Sequence, residues 1–393
     1  MMSKTTLRFF GAAVATAVFS LPVAAQRPVD GEARPPFHLK GNATSGPTGF
    51  APAQVRHAYG FDQIANLGAG QTIAIVDAYD DPNIESDLGV FSAQFGLPAC
   101  TTANGCFQKI YASRKPRANA GWSLEISLDV EWSHAIAPQA KIILVEAASA
   151  SLSDLMHAVD VAVANGASVV SMSFGGNDSS SELNSDFHFN VSHVTFVASS
   201  GDSGTGAEYP AASPYVVAVG GTTLQVNDSA GTYGGETAWS GSGGGLSSYE
   251  SEPGYQSGYP IPNDPNGKRG LPDVSYNADP NTGVSVYDTV TYQGQAGWFQ
   301  VGGTSAGAPQ WSALFAIVNA MRVAGGKQPL SNTNIEVYAV AQALVYGTNF
   351  HDITAGTNGN CGTLCNAGTG YDYVTGLGSP QAAKVIPALV NQP

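Results

Sequence analysis

The chain has 393 residues, with 16 Lys and Arg against 30 Asp and Glu, for a formal net charge of −14. That balance excludes nucleic acid and anionic membrane as expected partners, since both repel an acidic surface. Charged residues are only 12% of the chain, so few ion pairs would be lost on acidification. A protein that works at low pH and a plain solubility surface both fit this composition.

Lys4 and Arg8 give a positive start, and Phe9 to Ala25 is an apolar run of small residues ending in Val23-Ala24-Ala25. This reads as an export signal over 1–25, cleaved after Ala25, so the mature protein is expected to be secreted (extracellular or periplasmic) and soluble. A membrane span would need about 20 apolar residues with a stop-transfer flank, which nothing later in the chain offers. Loss of Lys4 and Arg8 leaves 14 basic against 30 acidic residues, a formal −16. Residues 26–48, rich in Pro, Gly and polar groups without periodicity, read as a flexible leader.

From residue 49 to 393 the pattern is that of one α/β domain, in which β-branched runs alternate with helical stretches as a parallel sheet requires. The expected strands are Thr72–Val76, Lys141–Val145, Val169–Ser173, Thr195–Ala198 and Tyr215–Val219. A helix is expected over Asp154–Asn165, ended by Gly166, and a last one from Ser305 to about Met321. The Gly- and Ser-rich stretch from Gly231 to Gly270 reads as surface loops, and Leu271 to Trp298 as strand-like. Four cysteines form two short-range couples, Cys100/Cys106 and Cys361/Cys365. In an oxidising compartment two local disulfides are the default, and no histidine stands at zinc-finger spacing.

Gly302-Gly303-Thr304-Ser305-Ala306-Gly307-Ala308-Pro309 joins an extended run to an apolar helix. A serine there has its amide at the positive end of the helix, where it can stabilise an oxyanion, though serine is also a common cap. Three nucleophile templates compete. Gly303-x-Ser305-x-Gly307 fits the elbow of α/β-hydrolases, with Glu336 and His351 as the only nearby later partners. Gly201-Asp202-Ser203-Gly204 looks like the serine loop of chymotrypsin-type enzymes, which are all-β. Asp77, His134 and Ser305 follow the order of subtilisins, but His134 lacks glycine-flanked context and reads as structural.

Glu125 and Asp129 stand at i and i+4 among Leu124, Ile126, Leu128, Val130 and Trp132. On a helix they share a face. Held close in apolar surroundings, two carboxyls repel and share a proton, which suits a base working at acid pH; a solvated face with two ordinary acids is the alternative. Asp202 follows the apolar strand Thr195–Ala198, at the strand end where open α/β sheets place active sites. Protonated, it would donate a hydrogen bond to an oxyanion; it also fits as a local turn cap.

Glu125-x-x-x-Asp129, Ser200-Gly201-Asp202-Ser203-Gly204 and Gly303-Thr304-Ser305-x-x-x-Pro309 together resemble the sedolisin family, serine-carboxyl peptidases of subtilisin-like fold. Trp239-Ser-Gly-Ser-Gly-Gly-Gly245 and Pro272-Asp273-Val274-Ser275-Tyr276-Asn277-Ala278-Asp279-Pro280 add to a resemblance covering about residues 49 to 390. It implies a subtilisin-like parallel sheet flanked by helices on both faces. It also implies Ser305 as nucleophile, Glu125 as general base and acid, Asp129 as its orienting partner, and Asp202 as oxyanion donor. One structural Ca2+ is implied in a C-terminal calcium-binding loop, held by the side chains of Asp352 and Asp372 and the carbonyls of Ile353, Gly368 and Gly370, with Cys361 and Cys365 stapling that loop. From the residues alone, a plain glycine-rich loop fits as well. Protein or peptide substrates and a monomer are expected.

Two departures stand out. Gly302 stands where the family usually has serine. Family members commonly carry a large N-terminal prodomain, whereas here only 26–48 separates the signal from the domain. The rival functions are an inactive peptidase-like binding protein and an esterase using Ser305 with His351.

Overall fold

The computed structural model describes residues 31–262, 266–342 and 346–393, so the export signal expected at 1–25 lies outside the described residues. Its centre is an eight-stranded sheet. In chain order the elements that position the site are β1 (His38–Leu39), β2 (Thr72–Ala78), α1 (Ile84–Phe95), β3 (Phe107–Tyr111) and α2 (Ala120–Ile136). They continue with β4 (Lys141–Ala147), α3 (Leu152–Ala164), β5 (Val169–Met172), β6 (Thr195–Ser199), β7 (Val216–Val226) and β8 (Tyr233–Ala238). Last come β9 (Val274–Asn277), β10 (Val284–Tyr292), β11 (Gln295–Gly302) and α4 (Ala308–Ala324).

The main sheet runs β8-β7-β6-β5-β2-β4-β3, with β9 also paired to β7. Every pairing is parallel except β7 with β8. All five expected strands are present, and their near-continuous apolar character follows from burial on both faces: in β2 and β4 every residue after the first is buried. One apolar layer, including Ile73, Ile75, Leu124, Leu128 and Trp311, lies on one side of the sheet. The other, including Ala74, Val76, Leu155 and Val159, lies on the opposite side, as alternation along β2 dictates.

Helix α3 starts where the serine cap demands, with Ser151 Oγ accepting from the Asp154 amide at 3.2 Å. The Gly231–Gly270 stretch is not only loop. β8 pairs antiparallel with β7 across a register shift between Tyr233 and Gly235, and Gly245–Ser251 forms a strand against Lys268–Leu271. Glycine lowers strand propensity but does not forbid an edge strand, which is why composition alone hid these two. Both disulfides, Cys100–Cys106 and Cys361–Cys365, are formed.

Residues 31–48 depart from the flexible leader expected of them. β1 pairs antiparallel with β11, aligning His38 with Gly302 and Leu39 with Val301. The Lys40 amide donates to Gln300 O at 2.9 Å, and Thr44 and Trp298 exchange backbone bonds of 2.8 and 3.1 Å. The edge of the β10–β11 hairpin supplies the partners that the leader's own sequence does not reveal.

A second feature invisible in the sequence is a group of buried acids between α1, α2 and β10. The β10–β11 register breaks between Asp288 and Tyr292, and β10 is the edge strand of its sheet, so amides beyond the break and on its outer side lack ladder partners. Carboxyls take them: Tyr287 N–H donates to Glu131 at 3.0 Å, Thr289 N–H to Asp87 at 2.8 Å, and Val290 N–H to Asp288 at 2.8 Å. Burial is the main force on all of them. It pushes Asp288 up to about 8 and Asp81 to about 7, and raises Glu131 and Asp87. Because the folded-state values lie above the unfolded values near 4, their contribution is fully present below that pH and lost as pH rises through about 8. The melting temperature is therefore expected to be highest near pH 4 and to fall by about 5 °C or more by pH 8. Asp288→Asn, which keeps the acceptor for Val290, should flatten that slope; an unchanged slope, read by scanning calorimetry, would refute the assignment.

Candidate active site

Helix α2 begins at Asn119, whose side chain accepts from the Gly121 and Trp122 amides at 3.1 and 3.2 Å. Every residue from Trp122 to Ile136 is buried, because the helix is wedged among β2, β10, α1 and α4. Glu125 and Asp129 therefore do not lie on a solvated face: both are 0% exposed. Burial is the largest influence on each, raising both carboxyls well above the ordinary range; Asp129 and Asp77 add repulsion at Glu125, while the Ser305 hydroxyl opposes it. Asp129 is oriented by Ser173, whose hydroxyl donates to Oδ1 at 2.8 Å.

Ser305 lies in a short 3₁₀ turn, Thr304–Ala306, between the end of β11 and α4, so the long helix begins three residues later than expected. Pro309 at its first turn fits the positions where a backbone N–H would lack a helical partner anyway. Gly303 reaches φ 122°, a conformation that lets the chain turn sharply into the serine. Ser305 is 0% exposed. Neither its Oγ nor the Glu125 oxygens make a short aligned hydrogen bond, although the two groups are close enough for the hydroxyl to lower the Glu125 carboxyl. Such catalytic bonds commonly tighten only when substrate binds.

Asp202 follows β6, as the strand-end rule anticipates. Its Oδ1 accepts from the Thr304 amide at 2.8 Å and the Thr304 hydroxyl at 2.9 Å, tying the Asp202 loop to the residue beside the serine. Its Oδ2 has no hydrogen bond, with His38 Nε2 3.4 Å away. Burial raises this carboxyl well above its ordinary value, against the two bonds from Thr304.

The four residues expected at the site are thus brought together. The rival histidines are not with them. His134 Nε2–H donates to Pro98 O at 2.8 Å, and His351 stacks on Tyr233 with ring centroids 3.8 Å apart. Sequence reasoning missed three contributors. Ser173 follows β5 and Thr304 adjoins Ser305. Asp77, at the end of β2, fits by its order in the chain only as the acid of a subtilisin triad. Asp77 is fully buried with neither oxygen bonded, and it is raised by burial and by Asp129 and Glu146. The signal available for Asp77 and Ser173 was their place at carboxyl ends of central strands.

In the C-terminal loop, Asp352 and Asp372 each accept from an amide of the Gly368–Gly370 turn. The Gly370 amide donates to Asp352 at 3.1 Å and the Gly368 amide to Asp372 Oδ2 at 3.0 Å. Asp372 Oδ1 also accepts from the Val374 and Thr375 amides, both at 2.8 Å. Burial lifts the Asp372 carboxyl to about 6. Two carboxyls beside glycine-rich backbone form a hard-oxygen donor set that fits calcium. The Cys361–Cys365 staple leans elsewhere: Thr205 N–H donates to Asn358 O at 3.0 Å and Asn358 Nδ2 to Ser242 O at 2.8 Å. The stapled loop thereby buttresses the segment that follows Asp202.

A family model described as the subtilase family matches residues 117–363. Kumamolisin of Bacillus sp. (strain MN-32) is 34% identical over 95% of this chain and 70% of its own length. Sedolisin of Pseudomonas sp. (strain 101) is 36% identical over 49% of this chain and 34% of its own. The solved structure titled Pseudomonas sedolisin (serine-carboxyl proteinase) complexed with two molecules of pseudo-iodotyrostatin superposes with a TM-score of 0.74 at 28% identity, covering 88% of this chain and 98% of that one. With a subtilisin-like sheet and these relatives, the chain belongs to the sedolisin family of serine-carboxyl peptidases.

Proposed function

We propose that this protein is a secreted acid endopeptidase in which Ser305 attacks the peptide carbonyl and forms an acyl-enzyme. The observation that carries this reading is a serine set against two fully buried carboxyls, with a third carboxyl bonded to its neighbour Thr304. Glu125 takes the serine proton and returns it to the leaving amine; Asp129, held by Ser173, keeps Glu125 oriented and shares a proton with it. Histidine would be charged at acid pH and unable to act as the base, whereas a carboxyl raised by burial remains able to cycle its proton. Asp202, protonated, donates from its unbonded Oδ2 to the developing oxyanion while Oδ1 stays fixed by Thr304. The disulfides fit an oxidising compartment, and among the described residues no helix is long and apolar enough to cross a membrane.

Ser305→Ala and Glu125→Ala should each lower kcat/KM on an unstructured protein substrate by at least about 10⁴-fold. Asp202→Ala should lower it by about 10²–10³-fold. Asp202→Asn, which keeps an N–H donor at every pH, should recover part of that loss. It should also extend activity toward neutral pH, because the proton required of Asp202 is no longer lost as pH rises. A pH–rate profile of the four variants decides it; full activity in the first two sinks the mechanism.

The same reading assigns one structural Ca2+ to Asp352, Asp372 and the carbonyls of Ile353, Gly368 and Gly370. The ion would hold the C-terminal loop together and take no part in proton transfer. Chelation should lower the melting temperature by several degrees, and calcium should restore it. In Asp372→Asn both responses should shrink; a melting curve indifferent to chelator in the unaltered chain would remove calcium from the assignment.

A further inference from the structure

In the sequence, Cys100 and Cys106 have no histidine at metal-ligand spacing; the fold supplies one. Both sulfurs and a ring nitrogen of His134 lie within 4.8 Å of one another, the one such gathering of three His, Cys, Asp or Glu donors among the described residues. His134 stands in the last turn of α2, against the connection from α1 to β3 that carries the disulfide. Its Nε2–H donates to Pro98 O at 2.8 Å, which fixes the ring and leaves the lone pair on Nδ1. His134 is 0% exposed, and burial lowers its pKa and so favours the neutral ring. Nδ1 has no hydrogen-bond partner. A lone pair sealed from water with no donor facing it calls for a partner.

While joined, the two sulfurs have no S–H to offer that lone pair and no thiolate charge to hold a metal. Parted, they have both. The joint is also within reach of solvent. Cys106 is half-buried and lines an open cavity of about 500 Å³ with Gly70, Gln71, Asn104, Pro138 and Lys141. Residues 102–105, between the cysteines, are exposed.

We propose that Cys100, Cys106 and His134 form a latent zinc site, closed while the disulfide stands and opened when a thiol reductant parts it. Two reductant thiols supply two electrons and two protons: the S–S bond breaks, Cys100 and Cys106 become thiols, and the reductant sulfurs join in a disulfide of their own. Zn2+ then displaces the two cysteine protons to solvent and takes the His134 lone pair. The fourth tetrahedral position is left to water from the cavity. Two sulfurs with an imidazole nitrogen suit a borderline-soft ion and not the hard ions calcium or magnesium. The two states tie the fold differently. The disulfide closes a loop on itself, whereas the ion binds that loop to the end of the helix that carries Glu125 and Asp129. In an oxidising compartment the closed form prevails; the open form belongs to the chain before oxidation or in the presence of thiols.

The test uses the full chain, both unaltered and with Cys361→Ser and Cys365→Ser so that one couple remains. A water-soluble phosphine opens the disulfide near neutral pH, taking oxygen from water as it delivers the two electrons, and is then removed without air. Co2+ should bind the reduced chain in a one-to-one complex, with the visible ligand-field bands and thiolate-to-metal charge transfer of a tetrahedral ion, and Zn2+ should bleach them. Zn2+ should also raise the melting temperature of the reduced chain and leave that of the oxidised chain unchanged. His134→Gln, which keeps a donor for Pro98 O, should weaken Zn2+ binding at least about tenfold. Equal affinity in His134→Gln would overturn the proposal, as would cobalt bands of equal strength in the oxidised chain, the mark of an adventitious surface ion. A reduced chain that keeps its near-UV circular dichroism and takes up no cobalt would overturn it too. Where reduction unfolds the chain, Zn2+ should restore the near-UV signal with His134 present and not in His134→Gln; no restoration overturns the site. None of these readouts involves peptide hydrolysis, so their outcome stands apart from that of the serine and carboxyl variants.

Discussion

Everything in this structure turns on helix α2 being buried on all sides. A helix apolar all round would be ordinary packing, but this one carries Glu125, Asp129 and Glu131 into a space where none of them reaches water. Ionising a carboxyl there is opposed by desolvation, and ionising two neighbours is opposed again by repulsion. Burial favours their protonated forms, and single hydrogen bonds are lent to two of them: the Ser173 hydroxyl to Asp129, and the Tyr287 amide to Glu131. In the proposed mechanism, the same burial that makes the acids costly to charge makes Glu125 and Asp129 usable as proton carriers beside Ser305.

Around that helix, the sheet supplies position. The carboxyl ends of β2, β5 and β6 deliver Asp77, Ser173 and Asp202, and the Gly303 turn delivers Ser305 after β11. Thr304 joins two of these deliveries, since it bonds to Asp202 and receives the Gly201 amide at 3.1 Å. The stapled 357–366 loop adds support from behind the Asp202 segment, through Asn358.

Much of this was legible in the residues. The β-branched runs marked the central strands because burial on both faces removes alternation. The i, i+4 spacing of two acids among apolar neighbours marked α2, and the glycine-flanked serine marked its turn. What stayed hidden depends on contacts distant in sequence. The leader carries no periodicity, and its order comes from β11, more than 250 residues on. The strands within Gly231–Gly270 take their stability from β7 and from Lys268–Leu271, not from their own weak propensity. The chain order of Asp77 points to a histidine-dependent triad, which the fold does not assemble: His134 is bonded to Pro98 instead.

The acid cluster behind β10 and the carboxyls at Ser305 are separate in chemistry yet answer to one cause. In both, buried carboxyls are raised above their ordinary values, chiefly by desolvation. Raising the pH withdraws the proton that Asp202 needs as a donor in the proposed mechanism, and it charges Asp288 and Glu131 inside the scaffold. The conditions that disable the site are then also those that loosen the β10–β11 hairpin, on which the leader's β1 is paired. An acid optimum in such a protein would not need a dedicated sensor, because working range and stable range follow from the same decision to bury acids in α2 and against it.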